Sequence, residues 1–336
     1  MHKGHTVAVV IPAYRAQKTI AAVLAGMPAW VDHLVVVDDG SPDGLSAVLE
    51  KVADSRLCVI RHSRNQGVGA ATVAGYRQAL ALGCEVVIKM DADGQMDPRY
   101  CRRLLAPIVE EGFDFAKGNR FAFRTALGAM PRLRLLGNLA LTVLVKVVSG
   151  QWHCVDPTNG FFAITARVLA RIDLNRLHRG YYFEISQLVD LGIVGATVAD
   201  VPIPAVYGGH PSNLRMGRVL SRFPLLLARD FWYRLWTKYG VLSVHPNLAL
   251  VPVGLLAIAC ALAFGIKHWT QGVATNTPAT SGTVALAMVG LLVGLGCLGL
   301  ALVLDIQEAP APYRAGMIIP CPWTEEALEE QMGDEH

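Results

Sequence analysis

Residues 85–98 of this chain read EVVIKMDADGQMDP. The first part, 85–90, is apolar and β-branched, which predicts a short buried strand. Two carboxylates, Asp91 and Asp93, follow this run directly, and Gln95 comes two residues later. Because open α/β sheets bind their ligands where loops leave the carboxyl ends of strands, this acidic loop is a candidate binding site.

Three earlier runs have the same strand-like composition. They lie at 6–11, 33–38 and 56–61, and helical patterns near 17–27, 43–53 and 68–82 separate the predicted strands. Apolar strands that alternate with helices predict an α/β domain, with a mostly parallel sheet covered on both faces. The loops after parallel strands meet at one edge of the sheet, so we expect them to form one site.

The carboxylate pair in the last of these loops suggests a metal site. Mg²⁺ and Mn²⁺ prefer oxygen ligands and often bind through one or two carboxylates plus substrate phosphates. Such an ion acts as a Lewis acid on a departing diphosphate. The alternative is a solvated turn before a helix, since Asp97 and Pro98 have the form of an N-cap and first helical residue.

Two earlier loops also carry candidate binding residues. The string VVVDDGSPDG at 35–44 turns the chain sharply and presents Asp38 and Asp39. These carboxylates suit ribose or base hydroxyls, and an ordinary turn is the alternative. In VVIPAYRAQKTI at 9–20, the strand stops at Pro12, and Tyr14 is placed to stack on a nucleobase unless the loop only leads into a helix.

The composition indicates a membrane protein. The 336 residues are 53% hydrophobic and 17% charged, with a mean hydropathy of +0.38. Soluble domains carry about 25% charged residues. The net charge of +3 and the lack of a long basic run exclude a nucleic-acid partner. Seven unpatterned cysteines fit a reducing compartment, and no signal peptide precedes the first domain, so we expect that domain in the cytoplasm.

Two stretches meet the length of a membrane span, 247–266 and 284–304, joined by 267–283. The segment 215–238 has six basic residues against one acid, and an aromatic belt at 231–236 lies just before the first span. This pattern predicts that the cytoplasm lies on the side before the first span. Two spans return the tail 305–336 to the same side, so both termini are expected in the cytoplasm. Two buried soluble helices are the alternative.

Three features refine the membrane prediction. The segment 131–149 is apolar around most of its circumference, and we expect it to lie in the interface or to pack on the domain, with a buried helix as the alternative. Within the basic amphipathic segment 215–240, Pro224 predicts the start of a new helix. A GxxxG pair at Gly290 and Gly294 suits close helix contact and is compatible with a homo-oligomer.

Taken in this order and spacing, the three loops resemble the family 2 glycosyltransferases with the GT-A fold, a Rossmann-like α/β fold. Within that family they look like dolichol-phosphate mannose synthases and bacterial polyprenyl-phosphate glycosyltransferases. The resemblance covers roughly residues 6–215. The strings VDDGSPDG and DADGQ carry it together, and neither is specific alone.

The resemblance implies roles for individual residues. A nucleotide-sugar pocket would include Pro12, Ala13, Tyr14, Asp38, Asp39, Asp91, Ala92, Asp93 and Arg120. The metal ligands would be Asp91, Asp93 and Gln95. The catalytic residues would be Asp93, Arg120 and Glu184. Candidates for contact with the acceptor or its phosphate are Arg134, Asp156, Ser212, Arg215 and Arg218.

Two departures from the family pattern are visible. Arg15 and Ala16 stand where the family commonly has Asn-Glu, so any contact of that Glu is missing. Near the end of the domain, YGGHPSNLRMGR arranges Ser212 and Arg215 differently from the phosphate-gripping residues of dolichol-phosphate mannose synthases. These differences indicate a bacterial-type branch.

The sequence therefore leads to one expected function and two alternatives. The expectation is inverting transfer of a hexose from a GDP- or UDP-sugar to a polyprenyl phosphate at the cytoplasmic membrane face, with Mg²⁺ or Mn²⁺. The expected parts are a catalytic domain at 1–214, interfacial helices at 215–240, a transmembrane hairpin at 247–304 and a tail at 305–336. The alternatives are non-processive transfer to a hydroxyl of a lipid-linked glycan or cell-envelope polysaccharide, and a non-catalytic membrane scaffold. A QxxRW motif, usual in processive synthases, is absent.

Overall fold

The computed structural model describes residues 2–122, 132–204 and 216–310. The chain divides into two compact units, one containing the residues up to Asp230 and the other spanning Phe231–Ala309.

The first unit is built on a mixed, mostly parallel sheet. Its strands are β1 Val7–Ala13, β2 His33–Asp38, β3 Leu57–Arg61, β4 Val86–Lys89, β5 Phe115–Asn119, β6 Phe162–Thr165 and β7 Val198–Pro202. Within the described ranges they form a seven-stranded sheet in the order β3-β2-β1-β4-β6-β5-β7. Strand β6 is antiparallel to β4 and β5, and the other pairings are parallel. The predicted α/β class and the four predicted strands are confirmed.

Helices connect these strands and continue into the second unit. They are α1 Ile20–Ala25, α2 Leu45–Leu49, α3 Val68–Ala81, α4 Cys101–Glu111, α5 Arg132–Ser149, α6 Ala166–Leu169, α7 Phe183–Ile193, α8 Met216–Trp236, α9 Asn247–Thr275 and α10 Ser281–Gln307. The main core lies between the sheet and the helices α1, α2 and α4, and consists of aliphatic side chains from all of them.

The strand register brings the predicted loops together. Ala13 at the end of β1 pairs with Asp38 at the end of β2, so the first two loops leave the sheet side by side. On the other flank of β1, Lys89 lies opposite Val10 and opposite Phe162, the first residue of antiparallel β6. The loop after β4 and the segment that enters β6 therefore share this edge.

Glycines of α3 permit two close approaches. A Cβ at Gly75 would clash with the side chain of Val10, so α3 packs tightly on β1. A Cβ at Gly69 would clash with the carbonyl of His178, and the Gly69 amide donates to the carbonyl of Arg179 at 2.8 Å. The start of α3 thus packs on the segment just before α7 and helps to fix it.

Helix α5 is buried on one side only. Val145 and Val148 are buried, whereas Leu139 and Val143 are each more than half exposed. A fully buried helix, the alternative for this segment, is therefore wrong. The exposed apolar stripe is typical of a helix that lies against a membrane surface or another apolar partner.

Helix α8 corrects the prediction at Pro224. The proline lies inside a continuous helix from Met216 to Trp236 and does not start a new one. A proline removes one helical hydrogen bond and crowds the preceding turn, but the bonds of the flanking turns remain. In a helix of 21 residues this local loss does not break the element.

The second unit contains two helices that are long and apolar enough to cross a membrane, α9 and α10. Both predicted spans lie within them, but the predicted connection 267–283 is too long. Helix α9 continues to Thr275 and ends where Asn276 takes a left-handed φ of 52°. The hydroxyl of Thr280 then caps α10 by accepting from the Thr283 amide at 3.3 Å.

Small residues form the contact between these two helices. A Cβ at Gly294 would lie 2.5 Å from Ile258 Cγ1 and 2.8 Å from the Gly254 carbonyl oxygen. A Cβ at Gly290 would lie 2.8 Å from the Ala261 Cβ. The GxxxG pair therefore packs inside the hairpin and gives no support for a homo-oligomer.

A buried polar cluster lies at one end of the hairpin. Arg234 is 2% exposed, and its Nη1 donates to Asp305 Oδ1 at 2.7 Å. The Tyr239 hydroxyl also donates to Asp305, and Asn247 Nδ2 donates to the Ala301 carbonyl at 3.0 Å. This buried ion pair links the end of α8 to the end of α10.

We predict that Gly294→Val destabilises the hairpin while Gly296→Val, two residues away on the same helix, does not. The added methyl groups at 294 would force the helices apart, at a cost of about 1–3 kcal/mol. A Cβ at Gly296 meets nothing within 4 Å. Free energies of unfolding of the full chain in micelles, from SDS titrations, would measure the difference. Equal losses in both variants would contradict the helix contact described above.

Candidate functional site

A buried lysine lies at the edge of the sheet where the predicted loops meet. Lys89, the last residue of β4, is fully buried, and its Nζ lies 2.6 Å from Asp91 Oδ1 and 3.6 Å from Glu184 Oε1. Burial alone would lower the pKa of Lys89, but the charges of Asp91 and Glu184 outweigh burial and raise this pKa. One ammonium is therefore shared by two carboxylates that sequence reasoning placed in the site.

The loop after β4 is a tight turn that presents Asp91 and Asp93. Asp93 Oδ1 accepts from the Gln95 amide at 2.9 Å, and the Thr19 hydroxyl donates to the Ala92 carbonyl, which ties the loop to the start of α1. Although Asp93 lies at the surface, desolvation by nearby protein raises the pKa of its carboxyl, and the charge of Asp91 adds to this effect. Two acidic side chains two residues apart, one of them with a raised pKa, form a site that favours a bound cation.

The segment Asp156-Pro157-Thr158-Asn159-Gly160 borders this loop just before β6. A Cβ at Gly160 would lie 2.6 Å from Lys89 Nζ and 2.8 Å from Asp91 Oδ2. Asn159 is fixed on both sides, because its Nδ2 donates to the Gly118 carbonyl at 2.7 Å and its Oδ1 accepts from the Phe161 amide at 3.0 Å. A glycine at 160 is what lets this segment approach the Lys89–Asp91 pair.

A second buried lysine lies next to the same segment. Lys117 on β5 is 1% exposed, and its Nζ donates to the Asn159 carbonyl and lies 5.1 Å from the centre of the Phe162 ring. Burial lowers the pKa of Lys117, and the charges of nearby Glu184 and Asp156 oppose that shift. Two buried, positively charged lysines therefore lie among the carboxylates of the predicted site.

Arg120, predicted in the nucleotide-sugar pocket, and Asp156, predicted as an acceptor contact, bind each other. Arg120 Nε and Nη2 donate to the two carboxylate oxygens of Asp156 at 2.7 and 3.0 Å. The Asp156 side chain is fully buried, whereas that of Arg120 is 38% exposed. The bidentate pair holds the guanidinium at the site edge with part of its surface open to solvent.

The predicted nucleotide residues Asp38 and Asp39 are buried and hold their own loops. Asp38 accepts from the Ser41 amide at 2.9 Å and from the Ser46 hydroxyl at 2.8 Å. Asp39 accepts from the amides of Gln66 and Gly67 at 2.9 and 2.8 Å, and its Oδ1 lies 2.7 Å from His62 Nδ1. These bonds tie the loop after β2 to the loop before α3, and a nucleotide contact by either carboxylate stays a prediction.

The first loop places an aromatic ring beside them. Pro12 and Ala13 are buried at the end of β1, and Tyr14 is 44% exposed with the Arg15 guanidinium 5.4 Å from its ring centre. Arg15 has a φ of 56°, and its amide donates to the Ser41 hydroxyl at 2.6 Å. Ala16, at the position of the family's Glu, is buried in the core, so no carboxylate reaches the site from there.

The remaining acceptor candidates are not tested. Ser212 and Arg215 lie outside the described residues. Arg134 and Arg218 lie in α5 and α8, but their side chains are outside the part that the structure describes.

The carboxylate oxygens of Asp91 and Asp93 fit a metal ion that is also bound by the phosphates of a substrate. Across residues 2–122, 132–204 and 216–310, no group of three or more His, Cys, Asp or Glu side chains is arranged to hold a metal ion. Mg²⁺ and Mn²⁺ are commonly held by one or two carboxylates plus substrate phosphates and water, which is what Asp91 and Asp93 offer. A cation held mainly by protein side chains does not fit.

Sequence reasoning missed Lys89, Lys117 and the close approach at Gly160. A signal for Lys89 was present, because a charged side chain in an otherwise apolar, buried strand must be paired. One partner, Asp91, lies only two residues away, but nothing in the sequence identified the other, since Glu184 is far away along the chain.

Comparisons with known proteins agree with this geometry. The family model described as glycosyl transferase family 2 matches residues 8–173. The polyprenol monophosphomannose synthase of Mycolicibacterium smegmatis is 32% identical over 201 residues, which cover 58% of this chain and 75% of that protein. The UDP-N-acetylglucosamine–dolichyl-phosphate N-acetylglucosaminyltransferase of Methanococcus voltae is 25% identical over 213 residues, covering 59% of this chain and 84% of that protein.

A solved structure shares the fold. The glucosyl-3-phosphoglycerate synthase of Mycobacterium tuberculosis, in complex with Mn²⁺, UDP-glucose and phosphoglyceric acid, has a TM-score of 0.52 to this chain at 22% identity. The match covers 69% of this chain and 80% of the synthase. At this identity the likeness supports the GT-A fold alone.

We predict that Asp39→Asn lowers the stability of the protein even without any ligand. In asparagine an NH₂ group replaces one of the two carboxylate oxygens. A backbone N–H that now donates to that oxygen would lose its acceptor, at a cost of about 1–3 kcal/mol. Thermal unfolding of the detergent-solubilised full chain would report the loss, with Glu50→Gln as a surface control expected to change stability by less than about 0.5 kcal/mol. An unchanged unfolding midpoint for Asp39→Asn would show that the loop does not depend on this carboxylate.

Proposed function

Since the chain belongs to glycosyl transferase family 2 and is a glycosyltransferase, we propose that it transfers a hexose from a nucleotide-sugar to a polyprenyl phosphate, with inversion at the anomeric carbon. The observation that carries the proposal is the pair Asp91 and Asp93 at the carboxyl end of β4, on a chain with two helices able to cross a membrane. The two relatives described above are named for transfer to polyprenol or dolichyl phosphate.

The donor site is proposed at the shared edge of β1, β2 and β4. Asp91 and Asp93, with Gln95, would hold Mg²⁺ or Mn²⁺, and this ion would neutralise charge on the departing diphosphate. The half-exposed ring of Tyr14 offers a stacking surface for the base of a GDP- or UDP-sugar. The identity of the sugar depends on the shape of the pocket around these residues.

The acceptor is proposed to be a phosphate because Glu184, a carboxylate predicted to be catalytic, is already engaged by a lysine. Its Oε1 lies 3.6 Å from Lys89 Nζ. A hydroxyl acceptor would need a carboxylate that is free to take up its proton. A phosphate is already anionic near neutral pH, so transfer would rest on positioning and on charge stabilisation by groups such as Arg120.

The membrane arrangement completes the proposal. Basic residues precede the first apolar helix, which favours a cytoplasmic location for the catalytic domain and both termini. In this scheme 1–214 is catalytic, 215–240 interfacial, 247–304 the anchor and 305–336 the tail. Arg134, Ser212, Arg215 and Arg218 remain proposed contacts for the acceptor phosphate.

We predict that Asp93→Asn abolishes transfer. Membranes with the full chain, labelled GDP- and UDP-hexoses, undecaprenyl phosphate and Mn²⁺ should give a labelled product that extracts into organic solvent. Loss of the metal ligand should lower the rate about a hundredfold or more, because charge stabilisation by a metal ion is worth several kcal/mol. EDTA should have the same effect on the unmodified protein, and added Mn²⁺ should reverse it.

The matched control is Asp97→Asn in the same loop. Asp97 caps the turn Pro98–Tyr100 and pairs with Arg99, so it should not affect a metal at Asp93. Label found only in a glycan or polymer would overturn the phosphate acceptor. No turnover with any donor would favour a non-catalytic scaffold.

A further inference from the structure

We propose that Lys89 is a positioning residue that makes metal binding depend on the nucleotide-sugar. It would hold Asp91 and Glu184 in place while the donor is absent, and it would weaken the affinity of the site for a free divalent cation. This inference rests on the proposed metal site at Asp91 and Asp93. Neither the sequence motifs nor the family resemblance assigned a role to Lys89.

The first support is that the Lys89 ammonium is buried beside Asp91. Its side chain is fully buried, and Gly160 leaves space only for a hydrogen atom between its own backbone and the Lys89 Nζ and Asp91 Oδ2 atoms. The strand that carries Lys89 lies between β1 and β6 in the sheet. A cation bound by Asp91 would therefore sit close to a fixed positive charge.

The second support is the charge balance of the site without ligand. Lys89 compensates part of the charge of Asp91 and Glu184, and the described residues provide no cluster of three or more metal-ligating side chains. A free divalent cation thus meets few ligands and one repelling ammonium. A diphosphate brings further oxygen ligands and negative charge, which offset that repulsion.

The third support is geometric. Glu184 lies in the first turn of α7, a helix whose preceding segment is fixed by the start of α3. Lys89 bridges this carboxylate to the loop after β4. Loss of the bridge would free both side chains, so their productive orientation for transfer would be populated less often.

The test uses Lys89→Met in the full chain in detergent, with Mn²⁺ alone as the probe. Methionine keeps the length of the side chain and removes its charge. Free Mn²⁺, followed by electron paramagnetic resonance without nucleotide, should show binding about tenfold tighter than in the unmodified protein. UDP or GDP should then strengthen Mn²⁺ binding by a smaller factor in the variant, and kcat should fall although the metal binds better.

Lys117→Met is the matched control, because Lys117 is equally buried but has no contact with Asp91 among the described residues. Its Mn²⁺ affinity should stay within about twofold of the original. Circular dichroism checks folding, and Lys89→Gln replaces Lys89→Met if the latter does not fold. A purely structural lysine would lower activity through lost stability without tightening Mn²⁺ binding.

Two outcomes separate this inference from the function on which it rests. If Asp93→Asn abolishes Mn²⁺ binding but Lys89→Met and Lys89→Gln leave the Mn²⁺ affinity unchanged or weaker, the role of Lys89 is overturned and the metal site stands. If Mn²⁺ binding is insensitive to Asp93→Asn, the metal site itself is overturned.

Discussion

The ammonium of Lys89 between Asp91 and Glu184 is the interaction around which the site is organised. A charge buried at the end of a central strand is tolerated only if it is paired, so the strand, the acidic loop and helix α7 must come together when the domain folds. Gly160 packs closely on this group, because a Cβ there would lie 2.6 Å from Lys89 Nζ and 2.8 Å from Asp91 Oδ2. The chemistry of the site and the packing of the domain thus depend on one another.

The antiparallel strand β6 explains how the second half of the domain reaches this edge. A strand that ran parallel to β4 would bring its carboxyl end to the loops, but β6 brings the segment at its amino end. That segment carries Asp156, which anchors Arg120, and Asn159, which accepts from Lys117. The site is therefore built from the loops that follow β1, β2, β4 and β5, from Glu184 on α7 and from one segment that enters the antiparallel strand β6.

The second unit follows a different physical rule. Apolar side chains face outward along α9 and α10, and the contact between the helices uses small residues such as Gly294 and Gly254. Polar groups gather at one end, where Arg234 and Asp305 are paired and buried.

The sequence alone determined the features that depend on local pattern. The alternation of strands and helices, the acidic loop at Asp91 and Asp93, and the two apolar stretches could be predicted because periodicity, composition and strand ends are local properties. Local prediction failed where a rule has exceptions, as at Pro224, which a long helix accommodates, and at helix ends, as in the connection 267–283.

The tertiary structure alone decided which of these residues meet. It pairs Lys89 with Glu184, turns Arg120 toward Asp156 and assigns Asp39 to the loop before α3. Each of these contacts joins residues far apart in the chain, and their partners are selected by how the elements pack, a property that no local pattern records. The sequence thus placed carboxylates at the edge of the sheet, and the fold determined which charges balance them.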